Sequence, residues 1–348
     1  MRAALLTAHG PGGLAAANAN APVAAAGEVL VRVETVGVNQ LDRNVMAGRG
    51  PGAAARLPRI LGLDPAGVIV AVGDGVDRAR IGEHVVVKPN IPCGRCARCL
   101  AGNEADCPAQ TVVGVHRDGG AAELVAVPAA SAFDRGGIPA ELATAAVHSL
   151  PIVINAFDAV DVSPADRVLV TGAGGTLGQV AVAYAHHLGA RVIAASRRRA
   201  PVPDGVRSVV VKDAGDLPRG VTALEPDGVD VVVDVGGNGP MLGAAIEVLA
   251  WGGRAVFCAA SVDPRFEIDM LSFYLRRKRI VGVASADYAQ VRRALALVAS
   301  GAVVPRIGAR YPLERIVDAY REFGTSPPGK VIIEVADPAH PTTEELYT

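Results

Sequence analysis

The sequence predicts an α/β protein that joins a β-rich body to a doubly wound parallel sheet, and three observations predict it. Through about residue 130 the chain is a series of short Val-rich runs broken by Gly and Pro, among them "GEVLVRVETVGV", "GVIVAVGDGV" and "GEHVVVKP". From "RVLVT" (167–171) onward, apolar runs alternate with amphipathic stretches of helical spacing, the pattern of a parallel sheet covered on both faces. After "RIVGVAS" the pattern turns mixed again, with a helical stretch "YAQVRRALALVASG" and a last apolar run "GKVIIEV". These changes of texture divide the chain into a first domain over 1–150, a nucleotide-binding domain over 151–285 and a return to the first over 286–348. The final stretch "ADPAHPTTEELYT" is polar and reads as a loosely held tail.

Each element has its own signal. "GEVLVRVETVGV" alternates apolar and polar residues, as a half-buried strand does. "PAELATAAVHSLPIVINAFDAV" carries helical spacing and leads into the alternating units. Those units read as the strand "RVLVT", a glycine turn, the helix "TLGQVAVAYAHHLGA", the strands "RVIAAS", "VRSVVV" and "VDVVVDVGG", a helix from about Pro240 to Ala250, and the strand "RAVFCAA". Aromatic residues are 4% of the chain, so the cores are built from Ala, Val, Leu and Ile.

Composition excludes several function classes. With 34 Lys and Arg against 35 Asp and Glu, the net charge of −1 offers no basic excess for nucleic acid or an anionic membrane. No window holds the 18 unbroken apolar residues expected of a membrane span. The N-terminus reads as a first strand rather than a signal peptide, and a cytoplasmic location is the expectation.

Two motifs carry chemistry. "VTGAGGTLGQVA" places Gly172, Gly175, Thr176, Leu177 and Gly178 between a strand and a helix. Glycines there permit a tight turn and close approach of backbone to a pyrophosphate, which the helix N-terminus then receives. The next strand ends in Ser196, Arg197, Arg198 and Arg199, where an NAD site would place an acid to bind the ribose hydroxyl. A hydroxyl and three guanidinium groups suit a 2′-phosphate instead, so NADP(H) is the expected cofactor; the plainer alternative is a solvated basic loop. The second motif is "PCGRCARCLAGNEADCP" (92–108), with four of the five cysteines at Cys93, Cys96, Cys99 and Cys107. That spacing in a long chain points to a metal rather than to disulfides.

With "GVIVAVGDGV", "CGRCARCLAGNEADC", "DGGAAELVAVPA", "GAGGTLGQVA", "VDVVVDVGG" and "GGRAVF" in this order, the chain resembles the medium-chain dehydrogenase/reductase superfamily over almost its whole length. The resemblance implies a GroES-like catalytic domain, a Rossmann domain, Gly236 among the cofactor contacts, and a nicotinamide ring in the cleft between the domains. It also implies that the four cysteines hold one structural Zn2+ per chain, a closed four-thiolate shell with no open position for substrate.

The catalytic zinc of the zinc alcohol dehydrogenases is a different matter. Where that family has Cys and His ligands, this chain has Asn39 in "GVNQLD" and Leu63 in "GLDPAG", with Asp64 after it. The third ligand falls near "VHSLPIVINAF"; aligned on "NAF" it is Pro151, with His148 nearby but out of place. "GVNQLD" resembles the metal-free quinone oxidoreductase and enoyl reductase branches, so the expectation is a structural metal kept and a catalytic metal lost.

The resulting expectation is an NADPH-dependent reductase of an enone, quinone or enoyl thioester, because an enolate asks less of a site than an unactivated alkoxide. Asn39 is the expected donor to the substrate carbonyl, Asp42 orients its turn or relays a proton, and Asp64 meets solvent, substrate or an arginine. Helix capping by Asn39 and Asp42 explains the same residues structurally. No Tyr or Lys stands in that turn to donate a proton. The alternatives are a metal-free carbonyl reductase or alcohol dehydrogenase on an activated ketone, and a non-catalytic NADP(H)-binding protein. The expected partners are a small-molecule substrate and a second copy of the chain, a homodimer or possibly tetrameric assembly through the edge strand of the Rossmann sheet.

Overall fold

The computed structural model describes residues 1–10, 12–324 and 328–335, and the polar tail lies outside them. The chain divides into two units, Met1–His148 with the segment from Ile307 onward, and Ser149–Arg306. The return to the first unit therefore comes at Ile307 rather than near 286. The helix Tyr288–Ala299, read as part of the return, belongs to the second unit and packs on the helix Leu150–Ala159.

In the first unit a mainly antiparallel sheet runs in the order Ala132–Asp134, His84–Val87, Ala66–Val72, Glu28–Gly37, Lys330–Glu334 and Ile307–Pro312, with Leu124–Pro128 also paired to Glu28–Gly37. Alternation in Glu28–Gly37 buries Val29, Val31 and Val33, and beyond a register shift at Val33–Thr35 Val36 is buried as well; these pack with Ile69, Val85, Val87 and Ile333. The pairing of the last strand matters most for the site. Ile332 sits opposite Gly37, and the Val38 N–H donates to the Val331 carbonyl at 3.0 Å. Lys330 is thereby carried past Gly37 toward Asn39, although the two are far apart in sequence.

The second unit holds six parallel strands in the order Arg207–Val210, Arg191–Ser196, Arg167–Thr171, Val229–Asp234, Leu249–Phe257 and Arg279–Gly282. Val168, Leu169, Val170, Val231, Val232 and Val233 are buried, as central strands covered on both faces require. The order reverses between Arg167–Thr171 and Val229–Asp234, the switch point at which open α/β sheets bind nucleotides. The strand read as "RAVFCAA" begins earlier, at Leu249, and the helix placed at about Pro240–Ala250 runs Gly239–Glu247.

The single helical stretch expected near 140–160 is two helices, Ala140–Val147 and Leu150–Ala159. Pro151 in the first turn of the second lacks the N–H that would continue the helix, so the chain breaks at His148 and Ser149. His148 becomes the C-cap residue of the first helix.

Candidate active site

The cofactor turn is built as its glycines require. Gly172 has φ +75°, and a Cβ there would lie 2.6 Å from Gly236 Cα; at Gly178 a Cβ would lie 2.1 Å from the Gly172 carbonyl oxygen. The strand, turn and helix are therefore packed too closely for any side chain, with Gly175 as N-cap of the helix Thr176–His187 and Thr176 and Leu177 in its first turn. Its first-turn N–H groups are the donors a pyrophosphate needs. Ser196 adjoins this turn, since a Cβ on Gly174 would meet Ser196 Cβ at 3.6 Å. Ser196 Oγ donates to the Arg198 carbonyl at 2.6 Å, and Arg197, Arg198 and Arg199 are exposed.

Sequence reading missed Asp234 at the head of its strand. Buried, it accepts from the Thr171 hydroxyl and from the Gly237 N–H at 3.3 Å, and so holds the Gly236–Gly237 turn against Gly172. Burial raises its pKa against these donors. Its only advance signal was a carboxylate ending the apolar run "VDVVVDVGG".

The four lobe thiols converge, with all Sγ atoms within 4.8 Å of one another. Cys96 and Cys99 are 3.5 Å apart, Cys93 and Cys99 3.9 Å, and Cys96 and Cys107 3.9 Å. A tetrahedral zinc with Zn–S bonds of about 2.3 Å spaces its sulfurs by about 3.8 Å, so the donor set fits a structural zinc. A short antiparallel pair, Asn90–Ile91 with Thr111–Val112, closes the base of this lobe.

The residues singled out in "GVNQLD" and "GLDPAG" meet in one buried cluster of the first unit. Asp42 accepts from the Asn39 N–H at 3.0 Å and the Gly62 N–H at 3.1 Å, which fixes the turn that carries Asn39. Asp64 is buried and accepts from the Gly37 N–H at 2.9 Å. Asn39 Nδ2 lies 3.1 Å from each Asp64 oxygen and 3.2 Å from the Gly37 carbonyl. The amide hydrogens are thus engaged within the protein, where the expectation was that Asn39 donates to a substrate.

What completes the cluster comes from the far end of the chain. Lys330 Nζ donates to Asp64 Oδ2 at 2.5 Å and to Asn39 Oδ1 at 2.6 Å. The partner of Asp64 is thus a buried lysine, rather than the solvent, substrate or arginine expected. Gly37 makes room for it: a Cβ there would lie 2.0 Å from Lys330 Cε. Tyr320 is buried in electrostatic contact with Asp42. A Lys and a Tyr, absent from the turn itself, are brought to it by tertiary structure. The visible signal was a lysine heading the apolar run "KVIIEV".

His148 also belongs to this cluster, in electrostatic contact with Asp64, Lys330 and Lys88. The position set aside in favour of Pro151 is therefore the one near Asp64, while Pro151 is buried in the first turn of its own helix. Charges divide the group. Burial, then the Asp64 carboxylate, pushes Asp42 up to about 7. Burial most strongly opposes ionisation of Asp64, but the Lys330 ammonium together with the hydrogen bonds from Lys330 and Asn39 holds Asp64 below the usual range. Burial and the Lys330 ammonium push His148 down to about 4.

A catalytic zinc does not fit these side chains. Leu63 is buried in the apolar core and has no donor atom, Asn39 Oδ1 is taken by Lys330, and the ammonium beside Asp64 would repel a dication. Among the described residues only the lobe cysteines form a group of three or more metal-ligating side chains.

Residues 25–137 match the alcohol dehydrogenase GroES-like domain and residues 176–300 the zinc-binding dehydrogenase family. The chain belongs to the zinc-type alcohol dehydrogenase-like medium-chain dehydrogenase/reductase superfamily. It is 31% identical to D-altritol 5-dehydrogenase of Agrobacterium fabrum, covering 86% of this chain and 90% of that one. Among solved structures, an NAD-dependent alcohol dehydrogenase superposes with a TM-score of 0.87 at 32% identity, covering 97% of this chain and 100% of the other. A zinc-binding dehydrogenase of Sinorhizobium meliloti 1021 bound to NADP superposes with a TM-score of 0.83 at 28% identity, covering 96% and 99%. The protein is an oxidoreductase with a GroES-like unit and a Rossmann unit.

Proposed function

We propose that this oxidoreductase uses NADPH to reduce an activated C=C bond, in an enone, quinone or enoyl thioester, without a catalytic metal. The observation that carries the reading is the Lys330 ammonium held between Asn39 Oδ1 and Asp64 Oδ2, where a metal-dependent relative needs ligands. A fixed cation beside a desolvated site favours negative charge developing on a substrate oxygen. That support suffices for an enolate better than for an unactivated alkoxide, which relies on a Lewis acid. NADPH follows from Ser196 and the exposed Arg197–Arg199 beside the glycine turn, with no acid at that position. The structural zinc, bound by Cys93, Cys96, Cys99 and Cys107, closes its lobe and takes no part in the step.

The test is direct. Incubation with NADPH and a matched enone and ketone should saturate the C=C bond, with metal analysis giving one zinc per chain. A second zinc, or metal-dependent turnover restored after chelation, overturns the metal-free reading. A second reading has support from the name of the altritol dehydrogenase relative: reduction of a ketone, or its reverse, in the same site. Saturation of C=O alone selects it.

We also propose a homodimer. Arg279–Gly282 is the open edge of the six-stranded sheet, and Met270, Leu271 and Tyr274 near it are exposed. A second copy paired edge to edge about a two-fold axis covers both the unpaired backbone and the apolar side chains. Sedimentation as a monomer at micromolar concentration refutes it.

A further inference from the structure

His148 is the member of the buried cluster with an open face. Asp42, Asp64 and Lys330 are buried, whereas the His148 side chain is partly exposed. Its Nδ1 is buried without a hydrogen-bond partner, and among the described residues no partner is found for Nε2 either. Since Nε2 is not buried, the accessible edge of the ring is the Nε2 side. The charged groups that act on the ring are Lys330 on the strand Lys330–Glu334, Asp64 ahead of the strand Ala66–Val72, and Lys88 after the strand His84–Val87. Burial first, and then the two ammonium groups against one carboxylate, keep the ring neutral. A neutral ring with its proton on the accessible Nε2 leaves its lone pair on the buried nitrogen.

We propose that His148 is a catalytic residue: its neutral imidazole donates a hydrogen bond from Nε2–H to the carbonyl oxygen of the substrate as that oxygen gains charge. The proposal rests on the reductase reading above for its substrate class. In the step, hydride from NADPH forms the new C–H bond at the β-carbon. The C=C π pair becomes the enolate, whose oxygen His148 holds, and the α-carbon takes a proton from water. NADPH is oxidised to NADP+ and the C=C bond is reduced. His148 transfers no proton; it acts as a fixed donor, kept uncharged by burial and by Lys330 as the positioning residue beside it.

The experiment compares the zinc-loaded wild-type protein with His148→Ala and His148→Gln, each checked by thermal melting and NADPH binding. Loss of one such donor lowers kcat by about 100-fold to 1,000-fold. His148→Ala is expected to show that loss with little change in KM, and His148→Gln, which keeps an N–H, to recover at least part of it. 15N-histidine spectra should show the ring neutral at pH 5.5. A readout that needs no turnover uses p-nitrophenolate as the oxyanion, added to the enzyme with NADP+. Binding should shift the His148 Nε2 resonance and weaken at least ten-fold in His148→Ala. If only a ketone is turned over, the C=C reading fails while the same phenolate and kcat results uphold His148. Unchanged kcat in His148→Ala, phenolate binding that is absent or insensitive to His148, or a ring titrating near 6.5 overturns the proposal.

Discussion

Lys330 Nζ lies 2.5 Å from Asp64 Oδ2, and both side chains are buried in the first unit. Two charges removed from water are tolerated only as a pair whose remaining hydrogen-bond capacity is also met, here by Asn39 and the Gly37 N–H. Removing one partner leaves the other charged and alone. Lys330→Met and Asp64→Asn should each destabilise the first unit by about 3–5 kcal/mol. The double variant Lys330→Met/Asp64→Leu should recover much of that loss, because no isolated charge remains. Hydrogen exchange of the strands Glu28–Gly37 and Lys330–Glu334 reads the effect within this unit.

Gly37 gives a steric test of the same arrangement. A Cβ there would meet Lys330 Cε at 2.0 Å and Asp64 Oδ1 at 2.9 Å, so the lysine must leave its seat in Gly37→Ala. Turnover should fall while NADPH affinity, set in the other unit, is retained. Gly137→Ala is the control, since a Cβ at Gly137 meets nothing within 4 Å. Equal activity in the two variants would show that the seat of Lys330 is irrelevant to the reaction.

Cofactor choice has its own handle at Ser196. A carboxylate at the end of this strand accepts from a ribose 2′-hydroxyl and repels a 2′-phosphate. Ser196→Asp should lower kcat/KM for NADPH at least about ten-fold and raise it for NADH, and replacing Arg197 and Arg198 with Gln should weaken NADPH alone. Steady-state kinetics with both nucleotides measure this. A wild-type protein that already prefers NADH contradicts it.

For the zinc lobe, Cys96→Ser should lose the metal and lower the melting temperature, and the NADPH affinity should stay as it was. Zinc content and calorimetry check the outcome. A four-sulfur shell has no open coordination position, so any loss of turnover should track unfolding of the lobe rather than precede it.

Legibility in the sequence followed the range of the interactions. The Rossmann strands, the glycine turn and the cysteine spacing are local patterns, and Arg167–Thr171 and Arg191–Ser196 lie where the apolar runs put them. Asn39, Asp42 and Asp64 were visible because each stands in a short motif. Their partners were not, since Lys330 and Tyr320 reach them through strand pairing and packing across nearly the whole chain. Asn39 shows the same limit: an amide looks free to donate until the lysine and carboxylate that occupy it are known. His148 was obscured by a helix break that spacing alone could not place.

The pH dependence of stability separates two members of the cluster with opposite signs. Asp42, raised to about 7, binds its proton more tightly in the folded state than in the unfolded state, where its pKa is near 3.8. Its contribution is full below the unfolded value and is lost as pH rises through about 7. His148, lowered to about 4, binds its proton less tightly when folded than its unfolded value of 6.5. Its contribution is present above 6.5 and is lost as pH falls through about 4. Over the shared window the two slopes oppose each other, so the wild-type stability from these groups should vary little between pH 4.5 and 6.5, values bracketed by the two shifts. Asp42→Asn removes one slope and should leave a stability that rises with pH across that window, whereas His148→Gln should leave one that falls. Chemical denaturation followed at several pH values decides it, and parallel profiles for the two variants would refute the assignment of either shift.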